Sequence, residues 1–292
     1  MTIPIKIPIK IPIKIIDTHQ HLWDKDLFHY AWLESLPKLN RSFRLSDYQE
    51  ATRGLEIEKT VFVECDVDEH QVEDEALHIL RLAEQPGSRI AGVVASGRPE
   101  RDGFEPHLEK LRGQPKLKGI RRILHTHPDE LGKSKTFIEN VRKLEDYGLS
   151  FDICVLARQL PIAINLVSQC PGGTFILDHC GVPQVTERVL HPWREHIQEI
   201  ARFPNVYCKV SGLVAYADPV NWKPEDLRPF VDHVLESFGW DRVMFGSDWP
   251  VCTLAASYRQ WVEALLSLTQ AAGEANQRKL FRDNAVHAYR LS

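Results

Sequence analysis

Asp17-Thr18-His19-Gln20-His21 closes an apolar, β-rich run. In an extended chain alternate residues share a face, so Asp17, His19 and His21 would project together. Alone, two imidazoles at that spacing read equally well as hydrogen-bonded neighbours. His179 and Asp248 sharpen the reading, because each ends another β-rich run. Three imidazoles and a carboxylate can do one of two things. His19, His21, His179 and Asp248 can hold a single divalent ion, zinc first among the choices, with one position left for water. Equally, they can work without metal, Asp248 stripping a proton from the attacking water while His179 assists or polarises a carbonyl. Asp17 then stands behind an imidazole and orients it, or closes the barrel floor. Water is the nucleophile either way, since no Gly-x-Ser-x-Gly elbow supplies a serine. The bond opened would be that of an ester, lactone or amide.

Other residues could hold the substrate. Arg121 and Arg122 alternate in direction, so only one can enter a pocket, where a guanidinium suits a carboxylate or a developing oxyanion. Lys209 shares a face with Tyr207 and Ser211, and Glu64 ends the second β-rich run. Trp32, with Trp23, Tyr30 and Trp249, could wall a pocket for a ring. A second His-x-His, His125-Thr126-His127, runs straight into Pro128-Asp129, which marks a loop. It reads as substrate contact, through His125, rather than as a ligand pair.

These residues are far apart in the chain and need elements that gather them. Strand-like runs cover 15–21, 60–65, 90–96, 117–124, 150–155, 174–180, 206–212 and 243–248. Amphipathic stretches at 72–84, 104–112, 135–147, 159–169, 192–203, 224–238 and 257–271 alternate with them, and a last helix covers 274–289. Alternation implies parallel strands with crossover helices. Eight units match an α/β fold of the (β/α)8, or TIM, barrel type, which takes about 250 residues and keeps its active site at the C-terminal strand ends. An open doubly wound sheet is the alternative, but the chain has no glycine-rich nucleotide loop.

No Pro/Gly/Ser-rich linker divides the chain, so residues 15–292 read as one barrel domain. Residues 1–14 hold three Ile-Pro-Ile-Lys repeats, an accessory arm without chemistry of its own or a contact for another copy in a homo-oligomer. A formal net charge of −4 gives no footprint for nucleic acid. No apolar run approaches the roughly 20 residues of a membrane span. The six cysteines form no CxxC pair and lie mostly in apolar runs, as in a cytoplasmic protein with buried thiols.

The chain resembles the amidohydrolase-2 branch of the amidohydrolase superfamily, and within it the sugar-acid lactonases of L-fuconolactonase and L-rhamnonolactonase type. The likeness rests on Ile16-Asp17-Thr18-His19-Gln20-His21-Leu22-Trp23, Gly119-Ile120-Arg121-Arg122, Leu177-Asp178-His179, Tyr207-Cys208-Lys209-Val210-Ser211-Gly212 and Gly246-Ser247-Asp248-Trp249-Pro250. It runs from Ile15 to the C terminus. The resemblance implies a metal-dependent-hydrolase-like barrel that opens a small lactone, with His19, His21, His179 and Asp248 at the family's site positions. Where binuclear members carry a bridging Lys or Glu and then a His, this chain has Arg121 and Asp152, so the resemblance implies one ion or none. Two departures bear on substrate: Cys180-Gly181-Val182-Pro183 follows His179 without the lysine of many fuconolactonase-like chains, and Glu64-Cys65-Asp66-Val67-Asp68-Glu69 is unusually acidic. The other readings are a metal-dependent decarboxylase or amidase of the same superfamily, and a barrel that only binds a small ligand.

Overall fold

The computed structural model describes residues 13–292. Eight parallel strands pair in chain order: β1 (Lys14–Gln20), β2 (Glu56–Val63), β3 (Ile90–Ser96), β4 (Leu117–Ile123), β5 (Ser150–Cys154), β6 (Thr174–Leu177), β7 (Val206–Val210) and β8 (Val243–Phe245). The His21 amide donates to the Trp249 carbonyl at 2.8 Å and the Asp248 amide to the His19 carbonyl at 2.9 Å. These bonds join the ends of the first and last strands and close the barrel. Residues 1–12 of the expected arm lie outside the described residues, and Lys14 already belongs to β1.

Crossover helices Val72–Ala83, Phe104–Leu111, Lys135–Lys143, Leu160–Gln169, Trp193–Ile200, Pro224–Phe238 and Tyr258–Leu268 surround the strands. Leu45–Ala51, which hydrophobic periodicity did not single out, adds a short helix between β1 and β2. Strand alternation splits the apolar residues into two sets. Phe62, Ile120, Phe151 and Phe175 face the helices. Ile16, Val61, Val63, Val94, Ile176 and Met244 face inward, where Ala285, Ala288, Tyr289 and Leu291 pack against them. The C-terminal segment therefore fills the barrel floor. The helix expected over 274–289 runs from Gly273 to Ala288 and widens into a π turn at Lys279–Asp283 just before it enters the floor. Among the described residues no helix is long and apolar enough to cross a membrane.

The strands end earlier than hydrophobicity suggests. β6 stops at Leu177 and β8 at Phe245. Beyond them His179, Cys180, Val182 and Asp248 adopt left-handed φ of +53°, +55°, +45° and +57°. Non-glycine residues avoid that region, and strain of this kind concentrates where geometry serves a site.

Candidate active site

β1 carries an irregularity between Asp17 and Gln20 that changes which way its residues point. Next to inward-facing Ile16, Asp17 turns away from the barrel axis, while His19, beyond the irregularity, turns in. Its carboxylate accepts from Tyr48 Oη at 2.9 Å, Ser247 Oγ at 2.6 Å and the Ser247 and His19 amides. Asp17 thus pins β1 to the segment after β8 and does not share the face of His19 and His21. His21 Nδ1 donates to the Val63 carbonyl at 2.8 Å, which leaves Nε2 as a lone pair facing Asp248 Oδ1 at 3.4 Å and His19 Nε2 at 3.2 Å.

His19 lies one layer deeper, fully enclosed, between two cations. Arg121 Nη1 is 3.3 Å from its Nε2 and Lys209 Nζ is 3.3 Å from its Nδ1. Burial holds its pKa well below the usual imidazole value, so the ring is neutral. Lys209 is wholly buried, with Asp152 Oδ2 at 2.6 Å and Asp178 Oδ1 at 2.9 Å. Burial alone would lower its pKa, but the two carboxylates more than offset that and keep it charged. Arg121 is held as firmly: Nε donates to Glu64 Oε1 at 2.7 Å, Nη2 to the Glu64 carbonyl at 2.6 Å, and Nη1 lies 3.3 Å from Asp178 Oδ2.

A cavity of about 350 Å³ opens above this layer. Asp248, His21, His179 and Arg121 form its polar end, with Tyr216, His125 and Asp66 around them, and Trp32, Leu36, Ile123, Val251 and Leu254 supply apolar wall. Of the residues expected to touch substrate, Arg121, Trp32 and His125 line it, whereas Arg122, Lys209 and Glu64 do not. The physical reasons differ. Arg122 alternates outward on β4 and pairs with Glu100 at 2.7 Å. Lys209 and Glu64 sit below the cavity floor, consumed in ion pairs. Trp23, Tyr30 and Trp249 also stay out, packed with Phe43 and Tyr48 behind Trp32.

His179 is positioned by β7. Ser211 Oγ accepts from the His179 amide at 3.3 Å, which leaves its own hydrogen for His179 Nδ1 at 2.9 Å. That arrangement puts the imidazole proton on Nε2. Gly212 follows with φ of +69°, and a Cβ there would lie 2.7 Å from the His179 ring, so only glycine lets the two segments approach this closely. Burial lowers the His179 pKa, keeping the ring a neutral donor. Tyr216 and Cys154 also line the cavity and were not singled out in the sequence. Tyr216 sits in the irregular segment after β7, where no periodicity marks it. Cys154 shares the inward parity of Asp152, a signal that could have found it.

Residues 16–291 match the amidohydrolase family model, nearly the full chain. The chain belongs to the amidohydrolase family. This amidohydrolase is 32% identical to an L-fucono-1,5-lactonase of Burkholderia multivorans over 277 residues, covering 87% of this chain and 90% of the relative. It is 24% identical to an L-rhamnono-gamma-lactonase of Scheffersomyces stipitis, covering 95% and 98%. A crystal structure of a Burkholderia multivorans amidohydrolase with bound zinc superposes with a TM-score of 0.87 at 29% identity, covering 95% of this chain and 99% of that one.

The amidohydrolase has donors that fit one such ion. His19 Nε2, His21 Nε2 and Asp248 Oδ1 lie 3.2, 3.4 and 3.9 Å apart. Ligands about 2.1 Å from a tetrahedral zinc stand about 3.4 Å from one another, so these three atoms approximate one face of its coordination shell. The Val63 carbonyl behind His21 is the orienting contact such a ligand needs. His179, expected as a fourth ligand, belongs instead to an overlapping trio with His19 and Asp178. The four do not gather as one set.

Proposed function

We propose that this amidohydrolase opens a small sugar-acid lactone to the free hydroxy acid. The observation that carries the reading is the cavity's polar end. Asp248, a carboxylate with no basic side chain paired to it closer than the two imidazoles, stands with an N–H-bearing His179 and the Arg121 cation on one wall. The similarity to two lactonases narrows the ester to a cyclic sugar-acid ester.

Asp248 takes a proton from water as that water attacks the lactone carbonyl carbon. Charge develops on the carbonyl oxygen, where His179 Nε2–H donates and the locked Arg121 guanidinium contributes its field. The ring C–O bond then breaks and Asp248 returns the proton to the departing alkoxide. Burial around Arg121 strengthens this electrostatic help, since Glu64 and Asp178 fix the guanidinium before substrate arrives. A divalent ion held by His19, His21 and Asp248 would supply Lewis-acid polarisation at the same place. The apolar wall of Trp32, Ile123, Val251 and Leu254 suits the carbon face of a sugar ring. Six free, buried thiols support action in a reducing compartment, the cytoplasm.

A panel of sugar-acid lactones of both ring sizes, followed by proton release, tests the reading. Wild-type protein should acidify at least one, and Asp248→Asn should lower that rate by roughly 100-fold or more while staying folded. Folded wild-type protein that opens no lactone overturns it.

A further inference from the structure

β4 and β5 place a third imidazole on the cavity wall, beside a thiol. Ile123 pairs with Cys154, and the Leu124 amide donates to the Cys154 carbonyl at 2.9 Å. His125 then lies two residues past β4, with Nδ1 3.3 Å from Cys154 Sγ. Both residues line the cavity. Among the described residues this is the one hydrogen-bond contact of either the Cys154 sulfur or the His125 ring. His125 Nε2 is left without a protein partner.

We propose that Cys154 is a positioning residue: its S–H donates to His125 Nδ1 and so holds His125 as the Nε2–H tautomer, presenting an N–H donor to an oxygen of the bound substrate. The inference rests on the lactonase reading for the identity of that oxygen, a ring hydroxyl or the carbonyl, but not for the tautomer itself. Burial pushes the Cys154 thiol far up, so the sulfur keeps its hydrogen. Burial, with Arg121 adding to it, pulls His125 down to about 4, so the ring carries a single N–H at neutral pH. If that N–H sat on Nδ1, it would face the sulfur, the buried S–H would lack an acceptor, and Nε2 would offer only a lone pair. With the hydrogen on Nε2, the thiol, Nδ1 and the cavity-facing edge each have a defined role. His179 is arranged the same way, a hydroxyl standing where Cys154 has its thiol. Two of the cavity's imidazoles would thus be set as donors by neighbouring X–H groups.

Long-range proton–nitrogen correlation spectra of 15N-labelled protein test this directly, with His125→Gln identifying the His125 signals. Wild type should show a protonated Nε2 and a bare Nδ1. Cys154→Ser should keep that pattern, while Cys154→Ala should give mixed tautomers. In the same variants, Cys154→Ala should raise KM several-fold with a smaller change in kcat, and Cys154→Ser should restore KM. A wild-type Nδ1–H, or a Cys154→Ala protein with wild-type tautomer and KM, overturns the proposal. Wild-type protein inert on every lactone would sink the lactonase reading alone, because the spectra still decide the tautomer.

Discussion

The Tyr289 phenol, on the C-terminal segment that fills the barrel floor, donates to Asp152 Oδ2 at 2.7 Å. The same oxygen accepts from Lys209 Nζ at 2.6 Å, and Lys209 reaches His19 at 3.3 Å. The end of the chain therefore reaches His19, in the layer beneath the cavity, through three buried contacts. Tyr289→Phe removes one donor from a fully enclosed carboxylate, which should destabilise the fold by about 1–3 kcal/mol in denaturant titrations. Tyr289 does not line the cavity, so KM should hold while kcat falls. An unchanged kcat would cut the floor off from the chemistry.

Glu64 and Arg121 form a pair in which each side chain is nearly inaccessible. Burial would raise the Glu64 pKa, but the guanidinium outweighs it and holds the carboxyl below its usual range. Glu64→Ala leaves Arg121 with Asp178 at 3.3 Å as its remaining carboxylate. Breaking a buried pair from one side costs roughly 3–5 kcal/mol. Unfolding free energies should show that loss, and turnover should fall with it because Arg121 is no longer fixed at the cavity.

Zinc should bind the native protein and raise its melting temperature. At a free concentration a hundred times Kd, the gain is about 2.7 kcal/mol. His21→Ala removes a donor whose Nε2 faces Asp248 at 3.4 Å, so that variant should lose most of the shift in differential scanning fluorimetry. A shift equal in both proteins would place the ion elsewhere.

Strand parity made much of this site legible in advance. That only one of Arg121 and Arg122 turns in follows from alternation, though not which, and the barrel fold brings β1, β4 and β7 residues to one layer. Parity failed where the backbone leaves the strand. Asp17 was expected beside His19, but the irregularity in β1 turns His19 inward and leaves Asp17 outside, against Tyr48 and Ser247. His179 and Asp248 do reach the cavity, but on left-handed turns that no hydrophobic pattern encodes. Lys209 shows a different limit. Its inward direction was readable, yet not that Asp152 and Asp178 would meet it below the cavity. Tyr289 lies 137 residues from Asp152, and nothing local to either announces the bond.

Glu75 gives the fold a pH dependence of its own. It sits on helix Val72–Ala83, 2% exposed, with Oε1 unpartnered and Oε2 3.5 Å from the Cys65 amide. Burial, then the nearby Glu64 charge, pushes its pKa up from 4.5 to about 8. Between those two values the native protein holds a proton that the unfolded chain has released. Stability therefore declines as pH rises from 4.5 toward 8, and the loss is complete above that. At 1.36 kcal/mol per unit the full effect is on the order of 5 kcal/mol. Glu75→Gln keeps a neutral side chain of the same shape and escapes the penalty. Unfolding curves of the two proteins should nearly coincide at pH 4.5 and separate progressively, with the variant the more stable at pH 8.5. Parallel curves across that range would mean that Glu75 ionises freely, through water reaching the Cys65 loop.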